Sequence, residues 1–415
     1  MKTLMKWKKI IGLVLTTCLI AMVVNLHQAA AAMINSRAAM LVDAETGQVI
    51  YQQNADQQLP VASVSKLLAA CVIEDEIASH QLHWQQKVKI NKAVAAVSCD
   101  PNYSAIGLQA GQSYTVRDLF DAMLVKSADG AALALSTANG GTIKQFNAKM
   151  AKKARQIGLK DVKVVNAVGL RNGDLKQLRQ PKIGKNAENA MSARDVVILT
   201  RYLLKHYPSI LHVTSRPQQN FTIASGQVVT ADNSNQMLPG KPYVVPNVVI
   251  DGLKTGTSDQ AGACFVSTGT YQGRRLITVV LGANRNDPGD RFVQTQRLYQ
   301  YLQTGVRLKT LTLSHGQAVK QVAKGNKRQV TVKTAPLAVW QPVKEHQTPT
   351  LHTHYRASLL DRRGRVVAPI KKGQLLGSVT INGKALQTVD HQPLTFTLSS
   401  QQNVKRLGFW QRLFN

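Results

Sequence analysis

Acidic side chains are the first shortage: 22 Asp and Glu stand against 52 Lys and Arg, a formal net charge of +30. A chain this basic favours anionic surroundings. Aromatic residues make up only 5%, and no long Lys/Arg block interleaves with them. Zinc-finger spacing and a recognition-helix pattern are also missing, so nucleic acid is not an expected partner. The four cysteines, Cys18, Cys71, Cys99 and Cys264, are irregularly spaced and give no disulfide framework. No serine sits in a G-x-S-x-G elbow, and His80, His83, His206 and His212 fall in no recognisable triad setting. His352 and His354 alternate on an expected strand without a carboxylate or cysteine frame, so no metal site is read and no cofactor is called for.

What is present begins at the N-terminus. Lys2, Lys6, Lys8 and Lys9 precede an apolar run from Ile10 to Val24, and Ala29 to Ala32 supply small residues for cleavage. That order predicts a secretory signal peptide over residues 1–32 and an exported mature chain. The expected partners become membrane or wall polyanions. Cys18 lies inside the apolar run behind Thr17, a poor lipoprotein site. Cys71 and Cys264 read as small buried residues, while Cys99, in a polar loop, has no assigned role.

A chain of 415 residues has room for two or three domains. Ala38–Asp43, a turn at Glu45-Thr46-Gly47 and Gln48–Tyr51 read as a hairpin. A helix opens at Ser63, residues 80–113 are polar and turn-rich, and Thr115 with Asp118 starts another helix. Ala131–Ala138, Phe146–Ile157 and Ser192–Leu204 read as helices. Val244–Ile250, Ala263–Thr268 and Leu276–Gly282 read as strands, closed by a helix over Arg291–Tyr301. Hairpin, helical block, strands and a last helix give an α+β fold. Composition shifts near Gly305: from there to the end, 18 Lys and Arg face 3 Asp and Glu, a net of +15. Short alternating runs predict a small β-rich domain over 305–400, after a catalytic domain over 33–304. As a helix, Val404, Leu407, Trp410 and Phe414 form one apolar stripe opposite basic residues. Residues 401–415 are therefore expected to be an amphipathic anchor, too short to span a bilayer.

Ser63 and Lys66 are three apart, which on a helix puts them on one face. A serine hydroxyl needs an adjacent base, and a lysine becomes one when burial lowers its pKa. Ser127, in Ser127-Ala128-Asp129-Gly130, follows a hydrophobic helix. Leu253-Lys254-Thr255-Gly256-Thr257 follows an apolar strand and the turn pair Asp251-Gly252. A strand carrying a cation, a hydroxyl and a glycine suits an extended peptide ending in a carboxylate.

Ser-x-x-Lys, Ser-x-Asn and Lys-Thr-Gly, in that order, form the motif set of penicillin-binding proteins and class A β-lactamases. The sequence resembles the low-molecular-mass penicillin-binding proteins, specifically serine-type D-alanyl-D-alanine carboxypeptidases with a C-terminal β-domain. Further family-like segments are Ala39–Gly47, Leu59–Ser63, Asp251–Gly256 and Ala368–Gly373. The resemblance implies a penicillin-binding/β-lactamase-like serine transferase fold. It implies Ser63 as acyl-enzyme nucleophile, Lys66 as general base and Ser127 as proton relay. Lys254 and Thr255 would orient the substrate carboxylate beside Gly256, and the amides of Ser63 and Thr257 would form the oxyanion hole. Arg291 is either a second carboxylate contact or a plain helix-start arginine. The implied substrates are peptidoglycan stem peptides ending in D-Ala-D-Ala, with β-lactams as covalent inhibitors.

One position departs from the pattern. Asp129 stands where the family carries asparagine, and an ionised aspartate only accepts hydrogen bonds. Beside Lys66 it would hold the lysine protonated, which works against a base; either Asp129 is turned away or neutral, or the site is tuned differently, or activity is reduced. The expectation is an active enzyme at the outer face of the cytoplasmic membrane. The alternatives are a penicillin-binding wall protein with little turnover, and a β-lactamase or DD-endopeptidase of the same fold. Against the lactamase, the only glutamate between Ser127 and Lys254 is Glu188, whose surroundings do not look like a deacylation loop.

Overall fold

The computed structural model describes residues 34–222, 226–384 and 386–408. The expected signal peptide over 1–32 and residues 409–415 of the expected anchor lie outside them.

Alternating apolar residues and the Gly47 turn give the hairpin. Strands β1, Ala38–Asp43, and β2, Val49–Gln53, pair antiparallel with Leu41 opposite Tyr51. Asp43 closes the turn by accepting from the backbone amides of Glu45 and Thr46. The helical block follows as α1, Lys66–Ala78; α2, Lys92–Ser98; α3, Val116–Val125; α4, Asp129–Leu135; α5, Ile143–Gln156; and α6, Ala193–His206. Side chains cap four of them: Asn91 accepts from the Val94 amide and Thr115 from the Asp118 amide, and Thr142 with Gln145 and Ser192 with Asp195 form capping boxes. Three long strands complete the first domain: β3, Val249–Ser258; β4, Gly262–Tyr271; and β5, Arg274–Ala283. Helix α7, Asp290–Gly305, closes it.

The sheet order is β2-β1-β5-β4-β3, antiparallel throughout. Both faces are covered, so β1 and the middle of β5 are buried and mostly apolar. Met40, Val42, Val266 and Val279 pack into the helical block. Leu41, Phe265 and Val280 pack on the other side against Leu298 and Tyr299 of α7. Helix α1 is buried from Lys66 through Glu74 and runs through the middle of the block. A helix apolar all round belongs in a core, and that is why Lys66 loses all contact with solvent.

The second domain is β-rich, as its alternation predicts. Val306–Leu311 pairs with Leu337–Pro342, and a six-stranded sheet contains Gln329–Lys333, Leu375–Asn382 and Leu394–Ser400. It is bonded to the first domain around the hairpin turn. The Val49 amide donates to Gln387 O at 2.7 Å, and the Val389 amide to Gly47 O at 2.8 Å. Buried Trp340 donates its indole N–H to Asp43 Oδ2 at 3.0 Å.

Three expectations change. The strand expected over 244–250 begins only at Val249 and continues through the Lys-Thr-Gly segment. Asp251 and Gly252 are therefore no turn: Gly252 pairs with Thr268 and Ile250 with Gly269, leaving Asp251 as an extra residue in the strand. The stretch 80–113 contains α2, whose alanines and valines were masked by polar flanks. The helical stripe does not start at Val404. That residue is buried and bridged to Ile370, and Arg406 is bridged to Gly325, so residues up to 407 are held by the β-domain. An isolated valine in a polar segment satisfies a strand's burial as well as a helix's, and the domain core took it.

Candidate active site

Ser63 lies in a 3-10 turn, Ala62–Ser65, that leads into α1. Two glycines from distant segments hold this turn. A Cβ on Gly169 would lie 2.0 Å from Ala62 O, and one on Gly256 would lie 2.6 Å from Val61 O and 3.1 Å from the Ser63 amide nitrogen. Only a residue without a side chain lets backbone approach backbone this closely. Gly169 also has φ +91°, a conformation glycine adopts freely.

Lys66, one helical turn along, donates to Ser63 Oγ at 2.6 Å, Asp129 Oδ1 at 2.7 Å and Val168 O at 3.0 Å, with Ser127 Oγ at 3.4 Å. Ser127 joins α3 to α4 with φ +64°. A non-glycine residue in that region costs about 1–3 kcal/mol, and here it brings the hydroxyl to the lysine. Asp129 begins α4, and its second oxygen accepts from the Ser104 amide at 2.9 Å.

Strand β3 is the edge of the sheet, and Thr255, Gly256 and Thr257 border the cleft. Thr255 Oγ1 donates to Ser234 Oγ at 2.9 Å. Lys254 is buried near Lys66 and Asp129, donating to Thr255 O at 2.9 Å. Arg291, at the start of α7, is 4% exposed. Its guanidinium donates to Gly256 O at 2.8 Å, Cys264 O at 3.1 Å and Pro288 O at 2.7 Å, and also to Thr257 Oγ1. It is neither of the two expected alternatives in pure form: it borders the cleft, and two of its four bonds brace β3. The open cleft is about 1000 Å³, with Ser63, Ser127 and Asp129 on one side and Thr255–Thr257 on the other.

Burial sets the electrostatics. It pulls Lys66 below the ordinary lysine value, against the opposing influence of Asp129. Burial pulls Lys254 well down, assisted by the nearby Lys66 charge and opposed by Asp129. Asp129 thus opposes the lowering of Lys66, and burial is the larger influence. The arrangement offers a nucleophilic oxygen against a lysine whose proton is loosely held, facing an edge strand able to pair with an extended peptide.

All of Ser63, Lys66, Ser127, Asp129, Lys254, Thr255, Gly256, Thr257 and Arg291 come together around this cleft or directly behind it. Sequence reading missed Ser104, Ser234 and the Asn166–Gly169 loop. In that loop Asn166 Oδ1 accepts from the amides of Val168 and Gly169, and Asn189 Oδ1 accepts from that of Asn166. Two asparagines bonding only to backbone leave no spacing to read; the Asn166/Gly169 pair within four residues was the sole hint. Among the described residues no group of three or more His, Cys, Asp or Glu side chains forms a metal site.

Comparison with known proteins agrees with this geometry. D-alanyl-D-alanine carboxypeptidase DacF of Bacillus subtilis is 24% identical over 90% of this chain and 87% of its own length. D-alanyl-D-alanine carboxypeptidase DacD of Salmonella typhimurium is 27% identical over 92% of this chain and 89% of its own. Among solved structures, the peptidoglycan synthesis regulatory factor PBP3 of Streptococcus pneumoniae superposes with a TM-score of 0.80 at 29% identity, covering 90% of this chain and all of that one. The Peptidase_S11 family, described as D-alanyl-D-alanine carboxypeptidase, matches residues 25–285, and the chain belongs to that family.

Proposed function

We propose that Ser63 attacks the carbonyl of the penultimate D-alanine of a peptidoglycan stem peptide, expelling the terminal D-alanine and leaving an acyl-enzyme that water then hydrolyses. Family membership makes the enzyme a serine-type D-alanyl-D-alanine carboxypeptidase. The observation that carries the residue assignment is the 2.6 Å bond between Lys66 Nζ and Ser63 Oγ, with Ser127 Oγ 3.4 Å from the same nitrogen. Lys66 removes the hydroxyl proton, and Ser127 passes a proton to the departing amine. The substrate lies along the edge of β3, and Thr255 and Thr257 receive its terminal carboxylate in the field of Lys254 and Arg291. The amides of Ser63 and Thr257 stabilise the oxyanion; Gly256, between Thr257 and the Ser63 turn, supports this pairing. β-Lactams acylate the same serine.

The exported location and the anionic partner belong to the same reading. Lys324, Lys327 and Arg328 in one turn, Lys371 and Lys372 in another, and Lys405 and Arg406 in the last segment are all exposed. Backbone bonds join the three: Asn326 N to Lys405 O, Leu407 N to Lys324 O, and Ile370 N to Val404 O. Residues 409–415, with Phe409, Trp410, Arg412, Leu413 and Phe414, follow this basic end in the sequence. Cations beside an aromatic-rich basic tail suit an anionic membrane surface. Among the described residues no helix is long and apolar enough to cross a membrane.

The test uses protein lacking residues 1–32, labelled penicillin and a peptide ending in D-Ala-D-Ala. The reading requires labelling, abolished by Ser63→Ala, together with D-alanine release. Labelling without release identifies a binding protein instead, and rapid penicillin turnover a lactamase. Removal of residues 409–415 is expected to abolish sedimentation with anionic liposomes; unchanged sedimentation refutes the anchor.

A further inference from the structure

As an ammonium, Lys66 has three protons and faces four acceptors, at 2.6 Å (Ser63 Oγ), 2.7 Å (Asp129 Oδ1), 3.0 Å (Val168 O) and 3.4 Å (Ser127 Oγ). The Val168 carbonyl and the Asp129 carboxylate only accept, whereas the serine hydroxyls also donate. Both charged partners are almost wholly buried: the side chains of Lys66 and Asp129 are 0% and 3% exposed, Asp129 only where it borders the cleft. Asp129 is fixed on its other side by the Ser104 amide. The remaining charges facing this pair are Lys254 on β3 and, behind it, Arg291 on α7. Asp129 is the only carboxylate hydrogen-bonded to Lys66 among the described residues.

In water an aspartate–lysine pair keeps its proton on the lysine by a factor of about 10⁶. Burial of both partners removes the solvation that supports the separated charges, and the neutral pair, amine beside carboxylic acid, gains by comparison. The lowered Lys66 pKa, set first by burial, points the same way.

We propose that Lys66 and Asp129 share one proton, and that Asp129 takes it from Lys66 so that the amine activates Ser63 without losing a proton to solvent. This rests on the assignment of Ser63 as nucleophile and Lys66 as base. The resting pair is ammonium and carboxylate. Transfer along the 2.7 Å bond gives amine and carboxylic acid, and rotation about Cε–Nζ turns the lone pair to Ser63. The Ser63 oxygen forms its bond to the carbonyl carbon as its proton moves to Nζ, giving an oxyanion and an ammonium. When the C–N bond breaks, the leaving amine takes a proton from Lys66 through Ser127. Asp129 then returns its proton and the resting pair is restored. Asp129 is a positioning residue in this scheme; it holds the proton and touches no reacting atom.

The pair keeps the same net charge across the range in which it holds one proton, so the fraction in the reactive form does not vary with pH there. A lysine without this partner must release its proton to water, and its reactivity falls tenfold for each pH unit below its pKa. The experiment measures the acylation rate of labelled penicillin from about pH 5 to pH 9 for the protein lacking residues 1–32 and for Asp129→Asn. The expected wild-type rate varies less than about threefold between pH 5.5 and 8, while the ratio of wild type to variant rises at least tenfold toward pH 5.5. Asp129→Glu, which keeps a carboxylate, is expected to restore the flat profile at a lower rate. Parallel profiles for wild type and Asp129→Asn would show a merely structural aspartate and overturn the proposal. A wild-type rate that falls at higher pH than the variant's would mean that Asp129 only pins the proton, which also overturns it. Absence of labelling in the wild type at every pH overturns the assignment of Ser63 itself.

Discussion

Gly256→Ala tests the closeness of the β3 edge to the nucleophile turn. The added Cβ would meet Val61 O at 2.6 Å, Val64 N at 3.0 Å and Ser63 N at 3.1 Å, all backbone atoms with no flexible end to swing aside. Reaching an ordinary contact of 3.4 Å from Val61 O requires about 0.8 Å of separation. Strand β3 is held along its length by β4, and the turn is held from behind by Gly169, so the separation opens between them. The Ser63 and Thr257 amides, to which the proposed mechanism assigns the oxyanion, are then pulled apart. A misplacement near 1 Å costs on the order of 10²-fold in rate, or about 2.7 kcal/mol in the barrier. The assay is the second-order acylation constant with labelled penicillin, paired with a thermal unfolding midpoint. We expect a loss of about 10²-fold with a small change in midpoint, because the strain falls at one end of a five-stranded sheet. An acylation constant within about threefold of wild type at unchanged stability would refute the claim that this contact positions the site.

Two further outcomes follow from burial. Burial pushes the Asp43 carboxyl up, but bonds from Arg274, the Thr46 amide and Trp340 more than offset it, and it ionises below its ordinary value of 3.8. Its stabilising contribution is therefore present above about pH 4 and is lost as pH falls through the folded value; Asp43→Asn should destabilise by about 3–5 kcal/mol at neutral pH and flatten the acid limb of a stability–pH curve. In protein lacking residues 1–32, Cys99 is exposed while Cys71 and Cys264 are buried, and burial pushes the Cys264 thiol up to about 11. A thiol reagent should modify Cys99 alone in the native state and all three after denaturation; fast native modification of Cys264 would contradict the packing of β4.

The sequence disclosed the chemistry more fully than the architecture that supports it. Ser63 with Lys66 was legible because a helical turn brings neighbours three apart together, and Thr115 and Ser192 because capping is local. Lys254 to Thr257 were legible as types, yet the strand that carries them was placed too early. Asp251 and Gly252 have turn propensity, and the long pairing with β4 overrode it. Gly169 escaped notice because its importance lies in what it touches, a backbone turn about a hundred residues away, and Asn166 because it acts by bonding the Val168 and Gly169 amides. Val404 was misread because one apolar residue carries no period of its own. The spacing leaves open whether Asp129 meets Lys66 or turns away; the contact, and the balance between its charge and the cost of burial, depend on the depth of α1, which no local spacing reports.

The junction at the hairpin turn has a mechanical consequence. Interdomain contacts within a chain commonly permit relative motion. Here the Gly47–Val49 backbone is bonded to Gln387 and Val389, and the turn's closing carboxylate, Asp43, also receives Trp340. Swinging the β-domain away would mean unfastening the first strands of the catalytic sheet itself. The β-domain thus resembles a strut rather than a tether: these bonds set its basic end at one distance from the cleft.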